Sequence, residues 1–264
     1  MIEIEEIQQY FPLQLQNKPQ YYEYMLKEYF QYKLLDIIFN SKWTDKLSLI
    51  GGSGIRIIHH SERFSEDLDF DSFGLSRDEF IELTDQLIKS FQNAGIYIIA
   101  DDKDKDLKLN AFRRNLVFPE ILYSLGLSGH KKQKFLIKIE CESHLIKYNP
   151  DKPIIQKFNI FTQINATPVD ILLSMKIGAA LERQKGRDYY DCIFLMGKTN
   201  PNWDYLSGKF QIRSEKELKR RFIISFKNVD FNQKARDFEK LIFNPQEIKY
   251  VRLFPEYINQ KFKA

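Results

Sequence analysis

Cysteine is scarce in this chain of 264 residues: Cys141 and Cys192 stand far apart, with no Cys-x-x-Cys pair. That excludes a zinc framework and a disulfide scaffold, and it suits a reducing compartment. No run approaches the roughly 18 consecutive apolar residues of a membrane-spanning helix. The acidic opening, Met1-Ile-Glu-Ile-Glu-Glu6, lacks the basic head and apolar stretch of a signal peptide. Charge of one sign is not in large excess either. Forty Lys and Arg against 36 Asp and Glu leave a net +4, too little to mark a nucleic-acid binder but compatible with a local basic cleft. No repeat and no low-complexity linker stand out. The expectation is a soluble, cytoplasmic protein with no membrane association.

Aromatic residues are plentiful, with 22 Phe and 14 Tyr, and apolar residues make up 43% of the chain. A chain of this length and composition buries a sizeable core without staples. Apolar spacing predicts a helix over residues 21–39, a strand over 47–50 running into Gly51-Gly52-Ser53-Gly54, and a short helix over 55–60. A second strand is expected over 68–73. Ser76-Arg-Asp-Glu79 is a capping box opening a helix that Gly95 closes. Residues 96–99 read as a strand and 101–108 as a solvated turn. Residues 135–142 alternate, with Leu136, Lys138, Glu140 and Glu142 on one face and Ile137, Ile139 and Cys141 on the other.

The pattern then turns helical. Thr167-Pro168-Val-Asp170 reads as an N-cap with proline at the first helical position. Helices follow to about residue 184, from 188, and from a cap at Ser214 onward. Two domains are expected, an α/β domain over 1–165 and a helical domain over 166–264.

Chemistry concentrates in Gly51-Gly52-Ser53 and, after 13 residues, Asp67-Leu68-Asp69-Phe70. A strand that ends in a glycine turn and opens a helix presents backbone N–H groups to an anion, and Ser53 would add a hydroxyl. Asp67 and Asp69, two apart on a strand, point to one side and offer hard oxygens that suit Mg²⁺ with phosphate. Taken singly, the turn reads as a plain loop and the acids as a solvated face; in this order they fit metal-assisted phosphoryl or nucleotidyl transfer. An EF-hand is excluded, because Ser72 stands where the calcium loop needs glycine and Asp78 where it needs glutamate. Glu140 or Glu142 is the candidate third carboxylate, with a water-facing edge strand as the alternative.

Farther on, Lys176 interrupts the apolar run 171–180 and shares a helix face with Arg183. It is either a snorkelling residue or a cation held toward a cleft. Lys185-Gly-Arg187-Asp188-Tyr-Tyr-Asp191 places two acids three apart on the next helix, where they could equally cap and pair locally. His59-His60 has no partner at ligand spacing and reads as structural. Arg113-Arg114, residues 130–134 and residues 219–221 are basic patches that read as solvated faces, and as the place where phosphates would lie if the substrate is RNA.

These motifs carry a resemblance. Ile50-Gly-Gly-Ser-Gly-Ile-Arg56 with Arg63-Phe-Ser-Glu-Asp-Leu-Asp-Phe70, followed by Asp170-Ile-Leu-Leu-Ser-Met-Lys176 and Lys185-Gly-Arg-Asp-Tyr-Tyr-Asp191, resembles the AbiEii/AbiGii toxin nucleotidyltransferases of the DNA polymerase β-like superfamily. The resemblance spans residues 45–197. It implies an α+β fold, a mixed sheet with flanking helices followed by a helical C-terminal domain. It implies Mg²⁺ as cofactor and an NTP as cosubstrate. Asp67 and Asp69 fall on the family's metal pair, with Glu140 as third ligand. Gly51, Gly52 and Ser53 fall on its phosphate loop, where Arg56 or Lys176 would neutralise charge; Lys176, Asp188 and Asp191 fall on its later motifs. The family often has Gly-Gly-Thr-Ala-Leu-Arg where this chain has Gly-Gly-Ser-Gly-Ile-Arg. The implied function is a toxin that moves NMP from an NTP to an acceptor hydroxyl, tRNA or other RNA among the candidates, with a cognate antitoxin. The alternatives are a small-molecule nucleotidyltransferase and a non-catalytic nucleotide-binding module.

Overall fold

The computed structural model describes residues 2–101, 111–144 and 146–262. The chain divides into two units, Met1–His60 with Phe64–Leu145 and Pro150–Ala166 in the first, and Ser61–Arg63 with Ile146–Asn149 and Thr167–Ala264 in the second.

In the first unit a short helix α1 (Ile4–Gln8) precedes α2 (Tyr22–Phe39), whose 18 residues hold neither glycine nor proline. Helix α2 is buried on most sides, which fits its Met25, Leu26, Phe30, Leu34, Leu35 and Ile38. Phe30 stacks on Phe118, ring centroids 4.6 Å apart, and meets Phe91 and Phe135 at 5.6 and 5.9 Å. Next come β1 (Leu47–Ile50), α3 (Gly51–His59), β2 (Leu68–Ser72) and α4 (Arg77–Asn93). The expected capping box is present. Ser76 Oγ accepts from the Glu79 N–H and Glu79 Oε2 from the Ser76 N–H. The strand expected at 96–99 lies later, as β3 (Ile99–Asp101), and residues 102–108 of the expected turn lie outside the described residues. Strand β4 (Ala111–Val117), the short helix α5 (Ile121–Ser124) and β5 (Leu136–Glu142) follow.

These five strands form one mixed sheet in the order β1-β2-β5-β4-β3. Strands β2 and β5 run parallel, and the other neighbours are antiparallel. The alternation of β5 holds as expected, with Ile137, Ile139 and Cys141 buried and the polar residues half-buried on the other face. A hairpin of β6 (Ile154–Lys157) and β7 (Ile160–Gln163) completes the unit. Its turn residues, Phe158 and Asn159, have φ of 54° and 60°, the left-handed pair of a two-residue hairpin turn. A phenylalanine is costly there, but its ring packs on Tyr10, Phe11, Tyr29 and Tyr32, which offsets the strain.

The second unit is helical: α6 (Val169–Glu182), α7 (Gly186–Met196), α8 (Trp203–Phe210), α9 (Glu215–Ser225), α10 (Phe231–Phe238), α11 (Lys249–Arg252) and α12 (Phe254–Lys261). Pro168 occupies the N-cap of α6, one position earlier than expected, and Thr167 Oγ1 pairs with the Tyr148 hydroxyl at 2.7 Å in place of capping. Gly186 lets α7 approach α10, since a Cβ there would sit 2.1 Å from the Lys234 carbonyl oxygen. No helix of the described residues is long and apolar enough to cross a membrane.

Candidate active site

The site begins where β1 ends. Ile50 is extended, and the chain turns into α3 at Gly51, so the helix takes in the whole glycine motif that reads from sequence as a loop before it. Gly51 has φ +73°, and a Cβ there would lie 2.4 Å from Asp69 Oδ2. Only glycine meets both conditions. The pairing of β1 with β2 sets Ile50 opposite Asp69, so the turn and the carboxylate are adjacent by register. Ile50, at the N-cap, has no side chain able to bond the first N–H groups of α3, which suit an anion together with the glycine approach.

Ser53 is fully buried, and its Oγ donates to the backbone carbonyl of Asp67 and lies 3.3 Å from Ser65 Oγ. The hydroxyl expected at the phosphate instead ties α3 to the entry of β2. Arg56, expected to neutralise the triphosphate, reaches back to α2: its Nε lies 2.9 Å from Glu28 Oε2 and its Nη2 3.1 Å from Oε1. Lys157 Nζ adds a contact of 2.6 Å to Glu28 Oε1. Burial works to raise the Glu28 carboxyl, yet Arg56 and Lys157 hold it below the usual range.

The acids converge through the sheet. The parallel pairing of β2 and β5 sets Asp69 opposite Glu140, and the antiparallel pairing of β4 and β5 sets Arg113 opposite Glu140. Arg113 holds both Glu140 oxygens, at 2.8 and 3.0 Å. Lys138 Nζ lies 2.9 Å from Glu140 Oε2 and 3.5 Å from Asp67 Oδ2. Burial would raise the Glu140 carboxyl, but Arg113 and Lys138 keep it low. Burial likewise opposes the Lys138 charge, and Asp67 and Glu140 outweigh it and raise the ammonium above its ordinary value. Glu142, the other candidate third carboxylate, sits opposite Asp71 instead.

Among the described residues, no group of three or more His, Cys, Asp or Glu side chains stands ready to hold a metal ion. Asp69, beside the close-packed Gly51 turn, and Asp67, two residues earlier and 3.5 Å from Lys138, supply hard oxygens of the kind that binds Mg²⁺ together with phosphate. Glu140 already carries two cations. The residues present fit an ion held chiefly by the aspartate pair.

In the helical unit the later motifs form a buried ionic cluster. Asp191 accepts from Arg63 Nε at 2.6 Å and Nη2 at 2.7 Å, and Lys176 Nζ lies 2.8 Å from its Oδ2. Burial pushes the Asp191 carboxyl up, and the two cations bring it below the usual range. Asp188 accepts from Arg183 Nε at 2.9 Å and Nη2 at 2.7 Å and from the Lys185 N–H at 3.3 Å, which fixes the start of α7. Asp188 thus caps, as its local alternative has it. Asp191 pairs with Arg63 and Lys176, and the Lys185 and Arg187 partners offered by spacing are not the ones it takes.

Sequence reasoning missed the partners. Arg113 reads as part of a basic patch, and only the β4–β5 register brings it to Glu140. Lys138 carries a usable signal, since the alternation of β5 already places it on the carboxylate face.

A model of the AbiEii nucleotidyl transferase toxins of type IV toxin–antitoxin systems matches residues 33–249. In three dimensions the chain is similar to MenT4, a nucleotidyltransferase toxin from Mycobacterium tuberculosis H37Rv. The TM-score is 0.59 with 12% identity, over 100% of this chain and 91% of that one. It also matches JHP933 from Helicobacter pylori, with a TM-score of 0.46 and 16% identity over 90% and 94% of the two chains. No curated protein matches in sequence. The likeness to MenT4 shows a shared fold, in keeping with the mixed sheet and flanking helices described above. The family match takes in the glycine turn, the aspartate pair and the later lysine and aspartate motifs together. On that match the chain belongs to the AbiEii family of nucleotidyltransferase toxins.

Proposed function

We propose that this nucleotidyltransferase moves NMP from an NTP to an acceptor hydroxyl in a Mg²⁺-dependent reaction, with tRNA as the acceptor to test first and a cognate antitoxin as its partner in the cytoplasm. The observation that supports the reading is the close approach of the Gly51 turn to the Asp69 carboxylate, which sets an anion-accepting helix start against one of the two acids.

The N–H groups of Gly51, Gly52 and Ser53 receive the triphosphate, and the Ser53 hydroxyl keeps that turn fixed to the entry of β2. Asp67 and Asp69 would hold Mg²⁺, which would supply Lewis-acid stabilisation of charge on the phosphate oxygens. The acceptor oxygen forms a bond to the α-phosphorus as the bond to the β-phosphate oxygen breaks, and pyrophosphate leaves. The proton of the attacking hydroxyl passes to solvent or to a carboxylate of the pair. Glu140, kept ionised and doubly bonded, is a poor base; it holds Arg113 and Lys138 on the acidic face. Arg56 supports α3 through Glu28. Lys176, Asp188 and Asp191 enter as residues on which activity depends, Asp191 holding the Lys176 ammonium and Asp188 fixing the helix that carries Asp191. Most of the rate gain comes from positioning and electrostatics.

The test is incubation with each α-labelled NTP and Mg²⁺, with total RNA or a panel of small hydroxyl compounds, followed by gel and mass analysis. Label on the 3′ end of tRNA supports the reading. Label only on a small molecule moves it to the small-molecule nucleotidyltransferase alternative. NTP binding that needs no Mg²⁺, without product under any condition, would indicate a non-catalytic module.

A further inference from the structure

Lys138 sits in the middle of β5 with its flanking residues Ile137 and Ile139 buried on the opposite face, so its side chain is committed to the carboxylate side of the sheet. Its ammonium spans two acids far apart in the chain, Glu140 of β5 at 2.9 Å and Asp67, just ahead of β2, at 3.5 Å. Asp69 completes the group, directly opposite Glu140 in register. Three carboxylates thus face two cations, Lys138 and Arg113. Their roles differ. Arg113 is anchored to both Glu140 oxygens by a fork of two bonds, whereas Lys138 reaches Asp67 through one longer contact. A lysine ammonium is a compact, mobile point charge, well suited to leave one partner while keeping another.

We propose that Lys138 is a resident counter-ion of the aspartate pair, occupying the place beside Asp67 in the metal-free protein and giving it up to a divalent cation. On binding of the ion, the Lys138 ammonium parts from Asp67 and stays on Glu140. Arg113 keeps Glu140 in place, so the carboxylate does not follow. The device rests on the reading of Asp67 and Asp69 as a metal pair and adds to it. The ammonium keeps the acids from repelling one another before the ion arrives, and it weakens the affinity for the ion alone. A nucleotide, which brings negative charge of its own, then favours occupancy.

The experiment is a titration of the full chain with Mn²⁺ alone, followed by electron paramagnetic resonance of the free ion, for the wild type, Lys138→Gln, Lys138→Arg and Asp69→Asn. Removing a unit positive charge a few ångströms from the ion is expected to tighten Mn²⁺ binding about tenfold or more in Lys138→Gln. Lys138→Arg, which keeps the charge, is expected to bind as the wild type does. Unchanged or weaker binding in Lys138→Gln, with Asp69→Asn having lost it, overturns the counter-ion and leaves the metal pair standing. Binding that Asp69→Asn does not alter overturns both. Should Lys138→Gln fail to fold, acetylation of Lys138 in the wild type, read by peptide mass spectrometry, gives a second measure. Its rate should rise several-fold on adding Mg²⁺, and an unchanged rate overturns the proposal.

Discussion

A methyl group added at Gly51 would sit 2.4 Å from Oδ2 of Asp69, so the turn that opens α3 and the carboxylate at the middle of the site cannot be altered independently. Gly51→Ala forces a side chain into the left-handed region and pushes Asp69 aside. The expected cost is about 1–3 kcal/mol of stability for the strained backbone. Displacing the carboxylate by about an ångström should lower transfer on the order of 100-fold. Chemical denaturation and a nucleotide-incorporation assay on the same variant check both.

Gly54 gives the opposite expectation. It lies inside α3, and a Cβ there would meet nothing nearer than the Leu49 carbonyl oxygen at 3.6 Å, an ordinary contact. Gly54→Ala, which restores the alanine often found in the family, should stabilise the protein by about 0.5–1 kcal/mol and leave transfer intact. A shift of the urea midpoint measures it.

Asp191 joins Arg63 and Lys176 in a buried cluster, its own side chain inaccessible to solvent. Asp191→Asn leaves two cations facing a neutral amide away from water. The loss should be about 3–5 kcal/mol, read from equilibrium unfolding. A loss of activity at unchanged stability would instead point to direct contact of Asp191 with the reactants.

The Asp191 and Glu28 carboxyls are both held below the usual range, in each case by two cations that outweigh the effect of burial. In the unfolded chain both titrate near about pH 4. Around and below that pH the unfolded state binds more protons than the native one, so stability falls as pH falls. The contribution is complete above the unfolded values and disappears as pH drops through the native ones. Tm should therefore decline steeply below about pH 4, and less steeply in Asp191→Asn. A Tm indifferent to pH in that window would contradict the cluster.

Much of this arrangement is legible in the sequence because it is local. Strong periodicity marks α2, Ser76 and Glu79 mark the start of α4, and alternation marks the two faces of β5. Strand β4 escapes because Ala111–Val117 carries two arginines and an asparagine in its middle, and register pairing, not propensity, makes it a strand. The β6–β7 hairpin escapes because Phe158-Asn159 is not a turn signature; the aromatic cluster around Phe158 pays for it. At the site, residue types and spacing single out Gly51, Asp67, Asp69 and Glu140. What the side chains of Ser53 and Arg56 do depends on partners 12 to 28 positions away, Ser65, Asp67 and Glu28, and no local pattern reports those.

The most direct test of the aspartate pair is Asp69→Asn assayed with labelled NTP and Mg²⁺ against total RNA, with circular dichroism to confirm the fold. Loss of all transfer by a folded variant is the expected result. Transfer at the wild-type level would contradict the assignment of Asp69 to the reaction.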